Sequence, residues 1–356
     1  MLGSRNLLID ALRGACIFTV LCTHGLFLHR DQAAWMSALH KGYYAVIVFF
    51  AISGFLIMSN TLKRYGEPAH IDFGQFYTMR AARILPCLII FVVLMVWCAY
   101  HYVSFRVVDL HLLWVAAYAA LTFQFNQYYV MASESGLAHW TPLWSLAIEE
   151  IFYLAFPLAC FFTSKRWALI LILVGLVLQG CHAREINGMF SFWSAADVLA
   201  LGCMAAMAAH SLTPWLLRHR WVGRVLVFIG LAVMVYIFAT VKVETHISWT
   251  PTVIGLGAAL FLIGASTMKG SVVLHPPAAF GRCSYEVYIF HSALLIVLIE
   301  PVLRQFRPWG WSDFHTWLMT STVILGIIWL LCYILARLVS EPLNRLIRNC
   351  YKPKVV

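Results

Sequence analysis

Charged residues are scarce in this sequence. Asp, Glu, Lys and Arg make up only 11% of its 356 residues, whereas a soluble domain carries about 25%. Its ten cysteines include no CxxC pair, and most of them lie inside apolar runs. Because free Cys packs as a small hydrophobic residue, we predict no metal site and no disulfide framework. The low charge itself excludes an ordinary soluble globular fold.

Apolar residues dominate instead, at 62% of the chain, and the mean hydropathy is +0.82. Such a chain needs lipid as the solvent for most of its surface. In lipid, only a helix bundle or a closed barrel satisfies the backbone polar groups. A barrel shows segments of alternating polarity, but the apolar runs here are long and continuous. We therefore predict an all-α integral membrane protein.

Ten apolar stretches have nearly the length that a membrane span requires. We predict transmembrane helices at 7–28, 42–62, 84–104, 141–163, 167–181, 190–210, 221–241, 249–268, 283–303 and 315–338. A shorter apolar piece at 110–126 has polar ends, so we predict that it is interfacial or re-entrant; if it spans, the count becomes eleven. No internal repeat is visible. We predict one transmembrane domain at residues 1–345 and a basic cytosolic tail at 346–356.

Lys and Arg are distributed unevenly between the segments that join these stretches. With a cytosolic N-terminus and ten alternating helices, the cytosolic side receives 18 of the 25 Lys and Arg residues and the other side seven. The positive-inside rule then predicts that both termini are cytosolic. The net charge of +10 forms no stripe, so we expect membrane lipids and no nucleic acid as partners. The oligomeric state stays unknown.

The first apolar stretch carries Arg13 and His24, which are eleven residues apart. In an α-helix this spacing places both side chains on one face, about 16 Å apart along the axis. Asp10 lies three residues before Arg13 and can pair with it. Ionisable residues inside membrane helices indicate function by default. The alternative is that Arg13 reaches the interface and His24 is a hydrogen-bonded packing residue.

Arg80 and Arg83 lie on one helical face at the cytosolic start of the third stretch. Two planar, permanently charged guanidinium groups on one face suit a phosphate or a pyrophosphate. Ordinary anchoring by positive charges at the cytosolic interface is the alternative.

Two later stretches also carry polar side chains. Ser145 and Glu149 are four residues apart and share a helical face, which suits either proton handling or hydrogen bonding between helices. Ser284, Tyr288 and His291 form a second stripe with spacings of four and three. Polar contacts between helices explain this stripe as well as chemistry does.

Together these motifs resemble the acyltransferase-3 family, the membrane O-acyltransferases that modify bacterial surface polysaccharides and other glycans. The resemblance runs from about Asn6 to Arg345. It rests on five motifs in family order: Leu8–Gly14 leading to His24, Phe49–Ile57, Arg80–Arg83 with Pro86, Trp144–Glu149 with Tyr153, and Ser284-Tyr285 with His291.

The resemblance implies roles for these residues. It implies that His24 is catalytic, as a general base or as a transient acyl carrier, and that Glu149 orients or protonates its imidazole. It implies that the phosphates of acyl-CoA are held on the cytosolic side by Arg13, Arg80 and Arg83. The remaining motif residues are expected to support the site: Asp10, Ser53, Trp144, Ser145, Tyr153, Ser284, Tyr285 and His291.

The resemblance further implies no permanently bound cofactor, acetyl-CoA as co-substrate, and a glycan or lipid-linked saccharide as acceptor, such as lipopolysaccharide O-antigen or exopolysaccharide. It places the chain in the bacterial inner (plasma) membrane. Ala11, Thr23 and Tyr44 depart from the family's frequent residues, which leaves the acyl chain and the acceptor open. The alternatives are another short donor such as succinyl-CoA and a proton-coupled secondary transporter. A transporter predicts an internal two-fold repeat, which the sequence does not show.

Overall fold

The computed structural model describes residues 6–25, 40–102, 105, 109–163, 166–180, 184–185, 193–241, 246–247, 249–309 and 313–350. Within these ranges the chain is almost entirely helical, which confirms the predicted all-α class. The α-helices are α1 (Leu7–Thr23), α2 (Gly42–Tyr65), α3 (Phe73–His101), α4 (Leu110–Leu121), α5 (Phe125–Glu134), α6 (Leu143–Phe162), α7 (Arg166–Gly180), α8 (Trp193–Arg218), α9 (Arg220–Thr240), α10 (Thr250–Ala265), α11 (His275–Arg282), α12 (Ser284–Phe306), α13 (Asp313–Leu335) and α14 (Glu341–Cys350). Two short strands, β1 (Arg184–Glu185) and β2 (His246–Ile247), pair antiparallel.

The chain is a multi-pass membrane protein. Among the described residues, seven helices are long and apolar enough to cross a membrane: Gly42–Tyr65, Phe73–His101, Ala138–Phe162, Ala195–Arg218, Arg220–Thr240, Ser284–Phe306 and Phe314–Cys350. Three shorter helices are apolar as well: Leu110–Leu121, Leu169–Gly180 and Thr250–Ala265. A helix lies at each of the ten predicted stretches. The number of spans and the cytosolic location of the termini stay predictions.

Helix α3 begins at Phe73, well before the start that we predict at residue 84. The carboxylate of Asp72 accepts a hydrogen bond from the backbone N–H of Gln75 at 2.8 Å and so caps the helix. Because the first turns of α3 are polar, hydropathy alone misses them. The helix therefore carries Arg80 and Arg83 well inside its length.

The chain between α3 and α6 is helical but interrupted. Helix α4 ends at Leu121, and Phe123 has φ of 58° before α5 begins at Phe125. A bulky residue with positive φ breaks a helix, because the left-handed region is strained for it. The predicted interfacial piece at 110–126 therefore consists of α4 and the start of α5, and its position relative to the membrane stays a prediction.

The last helix is longer than the predicted span at 315–338. A π-helical segment, Ala336–Ser340, joins α13 directly to α14. The predicted boundary between domain and tail at residue 345 lies inside α14, and residues 351–356 lie outside the described part of the chain.

One compact group of helices is formed from residues 1–20, 33–71 and 148–282, as far as these are described. In it α2, α8 and α10 pack against one another, α7 packs on α8, and α9 packs on α10. A Cβ atom at Gly54 would overlap the carbonyl oxygen of Leu199, and one at Gly202 would overlap that of Ala51. Helices α2 and α8 thus approach through small residues, as membrane helices commonly do.

The same group holds the first turns of α1. Asn6 caps this helix, since its Oδ1 accepts from the backbone N–H of Leu8 at 3.0 Å. A Cβ at Gly14 would overlap the carbonyl oxygen of Pro277, and one at Gly281 would overlap that of Asp10. The glycine that follows Arg13 is therefore needed for α11 to reach α1.

Lys41 lies directly before α2 and is buried. Its Nζ donates a hydrogen bond to the carbonyl oxygen of Val241, which follows the last residue of α9. A cation at this end of a helix interacts favourably with the unpaired carbonyls and the helix dipole. Burial lowers the pKa of the Lys41 ammonium group.

The second compact group is formed from residues 21–32, 72–147 and 283–356. Here α3 packs against α4, α12 and α14, while α12 also packs against α13 and the turn Ala138–Trp140. Aromatic rings fill its interior: Phe91 lies 5.5 Å from both Trp140 and Phe290 between ring centroids. This packing fixes α12 beside α3.

Large apolar side chains cover the outer faces of several helices. On α9, Trp221, Phe228 and Tyr236 are 65%, 73% and 66% exposed. Such a surface is unfavourable in water, whereas lipid solvates it. The exposure agrees with a chain embedded in a bilayer.

Candidate active site

Two histidines from distant parts of the chain meet in the second group. His24 follows the last residue of α1, and His291 lies on α12. Their ring centroids are 4.9 Å apart with an interplanar angle of 66°, which is an edge-to-face contact. His291 is fully buried, whereas His24 is exposed. The pair therefore joins a shielded imidazole to an accessible one.

Both ring nitrogens of His291 have hydrogen-bond partners. Nδ1 lies 2.7 Å from the carbonyl oxygen of Tyr288, and Nε2 lies 3.2 Å from the Ser292 hydroxyl. A carbonyl oxygen only accepts, so Nδ1 must carry the proton. In a neutral ring Nε2 is then the acceptor for the Ser292 hydroxyl.

The Tyr288 side chain connects α12 to α6. Its hydroxyl lies 2.7 Å from Oγ of Ser145, which in turn donates to the carbonyl oxygen of Pro142 at 3.4 Å. The consistent direction is that Tyr288 donates to Ser145. Tyr288 belongs to the predicted stripe of Ser284, Tyr288 and His291, whereas Ser145 belongs to a different predicted motif. The hydrogen bond between Tyr288 and Ser145 therefore joins the two motifs.

Three further motif residues, Tyr285, Ser284 and Trp144, also lie in the second group. The Tyr285 hydroxyl donates to the carbonyl oxygen of Ile84 on α3 at 2.8 Å. Ser284 and Trp144 are buried. The Tyr285 hydrogen bond ties α12 to α3, and any further role of the three residues stays a prediction.

Arg80 and Arg83 both lie near the cytosolic end that we predict for α3. Arg80 is half-buried, with its guanidinium carbon 5.9 Å from the centroid of the Phe76 ring. Arg83 is exposed. Their spacing of three along α3 is as predicted, and their binding of phosphate stays a prediction.

Glu149 on α6 belongs to the first group and is tightly held. Its Oε1 accepts a hydrogen bond from the Ser53 hydroxyl on α2 at 2.7 Å, and its Oε2 accepts from the Tyr153 hydroxyl at 3.2 Å. Two hydroxyl donors on two oxygens suit an ionised carboxylate. The structure thus brings together three predicted site residues, while the predicted action of Glu149 on His24 stays a prediction.

Asp10 and Arg13 lie on the part of α1 that belongs to the first group. Asp10 is buried and Arg13 is half-buried. Their mutual pairing and the contact of Arg13 with a phosphate stay predictions. His24 lies one residue beyond the end of α1, in a turn where its N–H donates to the carbonyl oxygen of Leu21 at 3.2 Å.

Sequence reasoning missed Ser292, although it directly follows a predicted site residue. It also missed the turn beneath α12, where His139 and Trp140 are buried. His139 Nε2 and Trp140 Nε1 have no hydrogen-bond partner among the described residues. In the same ranges no cluster of three His, Cys, Asp or Glu side chains could hold a metal ion, and nine cysteines are free thiols. The signal that could have revealed this turn is the adjacent pair His139 and Trp140 in the sequence.

These features define a class of protein: a helical membrane protein with a histidine pair and a network of hydroxyl groups on its helices. The chain belongs to the acyltransferase-3 family, whose model, described as an acyltransferase domain, matches residues 6–337. The predicted family is therefore confirmed.

The chain also resembles curated proteins of Staphylococcus aureus. It is 23% identical over 317 residues to the O-acetyltransferase OatA of strains NCTC 8325 and COL, an alignment that covers 81% of this chain and 51% of OatA. SACOL0978 of strain COL, which carries a provisional O-acetyltransferase name, is 25% identical over 320 residues, with 81% and 50% covered. The chain thus spans about half the length of these relatives. No solved structure matches it.

Proposed function

We propose that this chain is an O-acetyltransferase of the bacterial inner membrane, with both termini in the cytosol. It takes an acetyl group from acetyl-CoA on the cytosolic side and transfers it to a hydroxyl of a cell-surface glycan or a lipid-linked saccharide. The contact between His24 and His291 is the observation that carries the proposal, because it holds the accessible imidazole of His24 against the buried ring of His291.

His24 has the chemistry that O-acyl transfer requires. As a general base, its imidazole takes the proton of the acceptor hydroxyl while the oxygen attacks the thioester carbonyl. The carbon–sulfur bond then breaks, and the proton passes from the imidazolium to the departing thiolate, which leaves as CoA thiol. As a transient carrier, His24 would instead attack the thioester carbonyl first, and the carbon–sulfur bond would break so that CoA leaves as the thiol with the imidazole proton. The acetyl group would then pass to the acceptor hydroxyl, whose proton would return to the imidazole. Both routes use the same residue.

Arg80 and Arg83, in the first half of α3, suit the CoA end of the donor. CoA carries a pyrophosphate and a 3′-phosphate, and guanidinium groups bind such oxygens through paired N–H donors. Arg83 is exposed and Arg80 is half-buried, and this exposure supports their proposed contact with a soluble anion. The family resemblance implies the same phosphate-binding role for Arg13.

The acetyl group is preferred over succinyl because the relatives are named O-acetyltransferases. Family membership favours the enzyme over a proton-coupled transporter. The acceptor class follows from the family resemblance.

The test uses the purified full chain in lipid nanodiscs with radiolabelled acetyl-CoA and total lipid-linked glycans from a bacterial membrane. The expected result is label in the glycan fraction with wild type and its loss in His24→Ala. His315→Ala is the matched control, because His315 is an exposed histidine of α13. Transfer by His24→Ala at the wild-type rate would contradict the catalytic role of His24. Labelled succinyl-CoA in a parallel reaction separates the two donors.

A further inference from the structure

The His24 ring has a buried neighbour that is itself unable to move freely. His291 lies in the middle of the buried face of α12, and its side chain is completely removed from solvent. The edge-to-face contact places the two ring centroids 4.9 Å apart. His24 lies beyond the last residue of α1, in a turn where its backbone N–H donates to the carbonyl oxygen of Leu21. The contact with the His291 ring restrains its side chain.

His291 is held by hydrogen bonds on opposite sides of its ring. The carbonyl oxygen of Tyr288 requires a proton on Nδ1, and the Ser292 hydroxyl satisfies Nε2. This set of partners selects one neutral tautomer and one ring orientation. A buried polar ring that is fully satisfied is rigid, because each rotation would break a hydrogen bond in a medium without water.

A rigid neutral ring is also the right electrostatic neighbour for a base. A second positive charge at this distance would oppose protonation of His24. The proton on Nδ1 of His291 and the acceptor role of its Nε2 leave the ring without a free site for the substrate proton. His291 is therefore poorly suited to act as the base, and well suited to support one.

We propose that His291 is a positioning residue that fixes the orientation of the His24 imidazole through its ring, with Tyr288 and Ser292 holding that ring in one tautomer. This inference rests on the proposed function of His24. In this role His291 affects the reaction only through the orientation of His24.

Two substitutions separate the contribution of the His291 ring from that of its hydrogen bonds. His291→Asn retains an amide N–H near the position of Nδ1 but removes the ring that contacts His24. His291→Phe retains the ring but removes both hydrogen bonds. Misplacement of a catalytic group by about 1 Å can cost on the order of 100-fold in rate. We expect kcat to fall by roughly that factor in His291→Asn and by less in His291→Phe, with KM for acetyl-CoA unchanged in both.

A double-variant cycle distinguishes positioning from general loss of structure. Long incubations measure the residual rate of His24→Ala; if His291 acts through His24, adding His291→Asn does not lower that residual rate further. A further loss equal to that of the single variant would overturn the proposal, as would a wild-type kcat in His291→Asn or His291→Phe. His315→Asn is the matched control and should leave kcat unchanged.

A measurement without turnover keeps the inference independent of the reaction. Diethyl pyrocarbonate acylates accessible imidazoles, and mass spectrometry of the purified full chain reports the rate at His24. We expect faster labelling of His24 in His291→Asn than in wild type, because its ring loses its support, and an unchanged rate in His315→Asn. Equal rates in wild type and His291→Asn would overturn the positioning role. Absence of acetyl transfer by wild type, with faster labelling in His291→Asn, would overturn the proposed function alone.

Discussion

The Ser53 hydroxyl on α2 donates a hydrogen bond to the Glu149 carboxylate on α6, with 2.7 Å between the two oxygens. The Tyr153 hydroxyl, one turn further along α6, donates to the other carboxylate oxygen at 3.2 Å. Inside a membrane protein, a carboxylate without donors is costly. The contact explains why a serine stands in the middle of the apolar part of α2.

Substitution of Ser53 by Ala should destabilise the chain. Hydrogen bonds to charged groups contribute about 1.5–3 kcal/mol, and Glu149 would lose the Ser53 donor. Thermal unfolding of the purified protein in detergent, followed by exposure of its buried cysteines to a thiol-reactive dye, measures the effect. Ser59→Ala on the same helix is the matched control, with an expected midpoint close to wild type. Equal midpoints for the two variants would show that the bond to Glu149 adds nothing to stability.

Gly54, the neighbour of Ser53, should tolerate no side chain. A methyl group there would overlap the carbonyl oxygen of Leu199 on α8, and overpacking of a core typically costs about 1–3 kcal/mol. Gly54→Ala is therefore expected to lower the unfolding midpoint.

Gly175→Ala on α7 provides the control for this prediction. A Cβ at Gly175 meets no atom within 4 Å, and Ala is favoured over Gly inside a helix by about 0.8–1.0 kcal/mol. Its midpoint should equal or exceed that of wild type. If Gly54→Ala were as stable as Gly175→Ala, close packing of α2 on α8 would be refuted.

Paired substitution of Arg80 and Arg83 by Gln should weaken the binding of acetyl-CoA. Loss of charge-assisted hydrogen bonds to phosphate is expected to raise Kd by roughly ten-fold or more, and the difference should shrink at high salt because screening weakens exposed charges. Isothermal titration of the chain in nanodiscs measures Kd. Arg345→Gln with Arg348→Gln on α14 removes the same charge elsewhere and should leave Kd nearly unchanged. Equal effects of the two pairs would favour ordinary membrane anchoring.

The sequence was sufficient to predict the long apolar helices, because each apolar run must form a helix in lipid. It was insufficient for helix ends that are set by local contacts. Asp72 caps α3 ahead of a polar turn, and the π-helical segment at Ala336–Ser340 carries the last helix beyond the apolar run. Neither feature changes the hydropathy of the surrounding residues.

The candidate site was predictable as a set of residues but not as a set of contacts. Helical spacing placed Ser145 with Glu149, yet the hydroxyl of Ser145 meets Tyr288 and the carboxylate of Glu149 meets Ser53. Periodicity shows which side chains share a face of one helix, whereas partners on other helices depend on the tertiary packing. The contact between His24 and His291 is of this second kind.

The Tyr288 hydroxyl should matter more for turnover than that of Tyr285, although both tie α12 to another helix. Tyr288→Phe removes the bond to the buried Ser145 hydroxyl, next to the carbonyl that holds His291. Tyr285→Phe removes a bond to the Ile84 carbonyl on α3. Each loss should cost about 0.5–1.5 kcal/mol of stability, which thermal unfolding measures. Only Tyr288→Phe should also lower kcat, because α12 then shifts beside His291 and the support of the His24 ring changes. If Tyr285→Phe lowered kcat equally, the decisive feature would be the overall packing of α12 and not the hydrogen bond to Ser145.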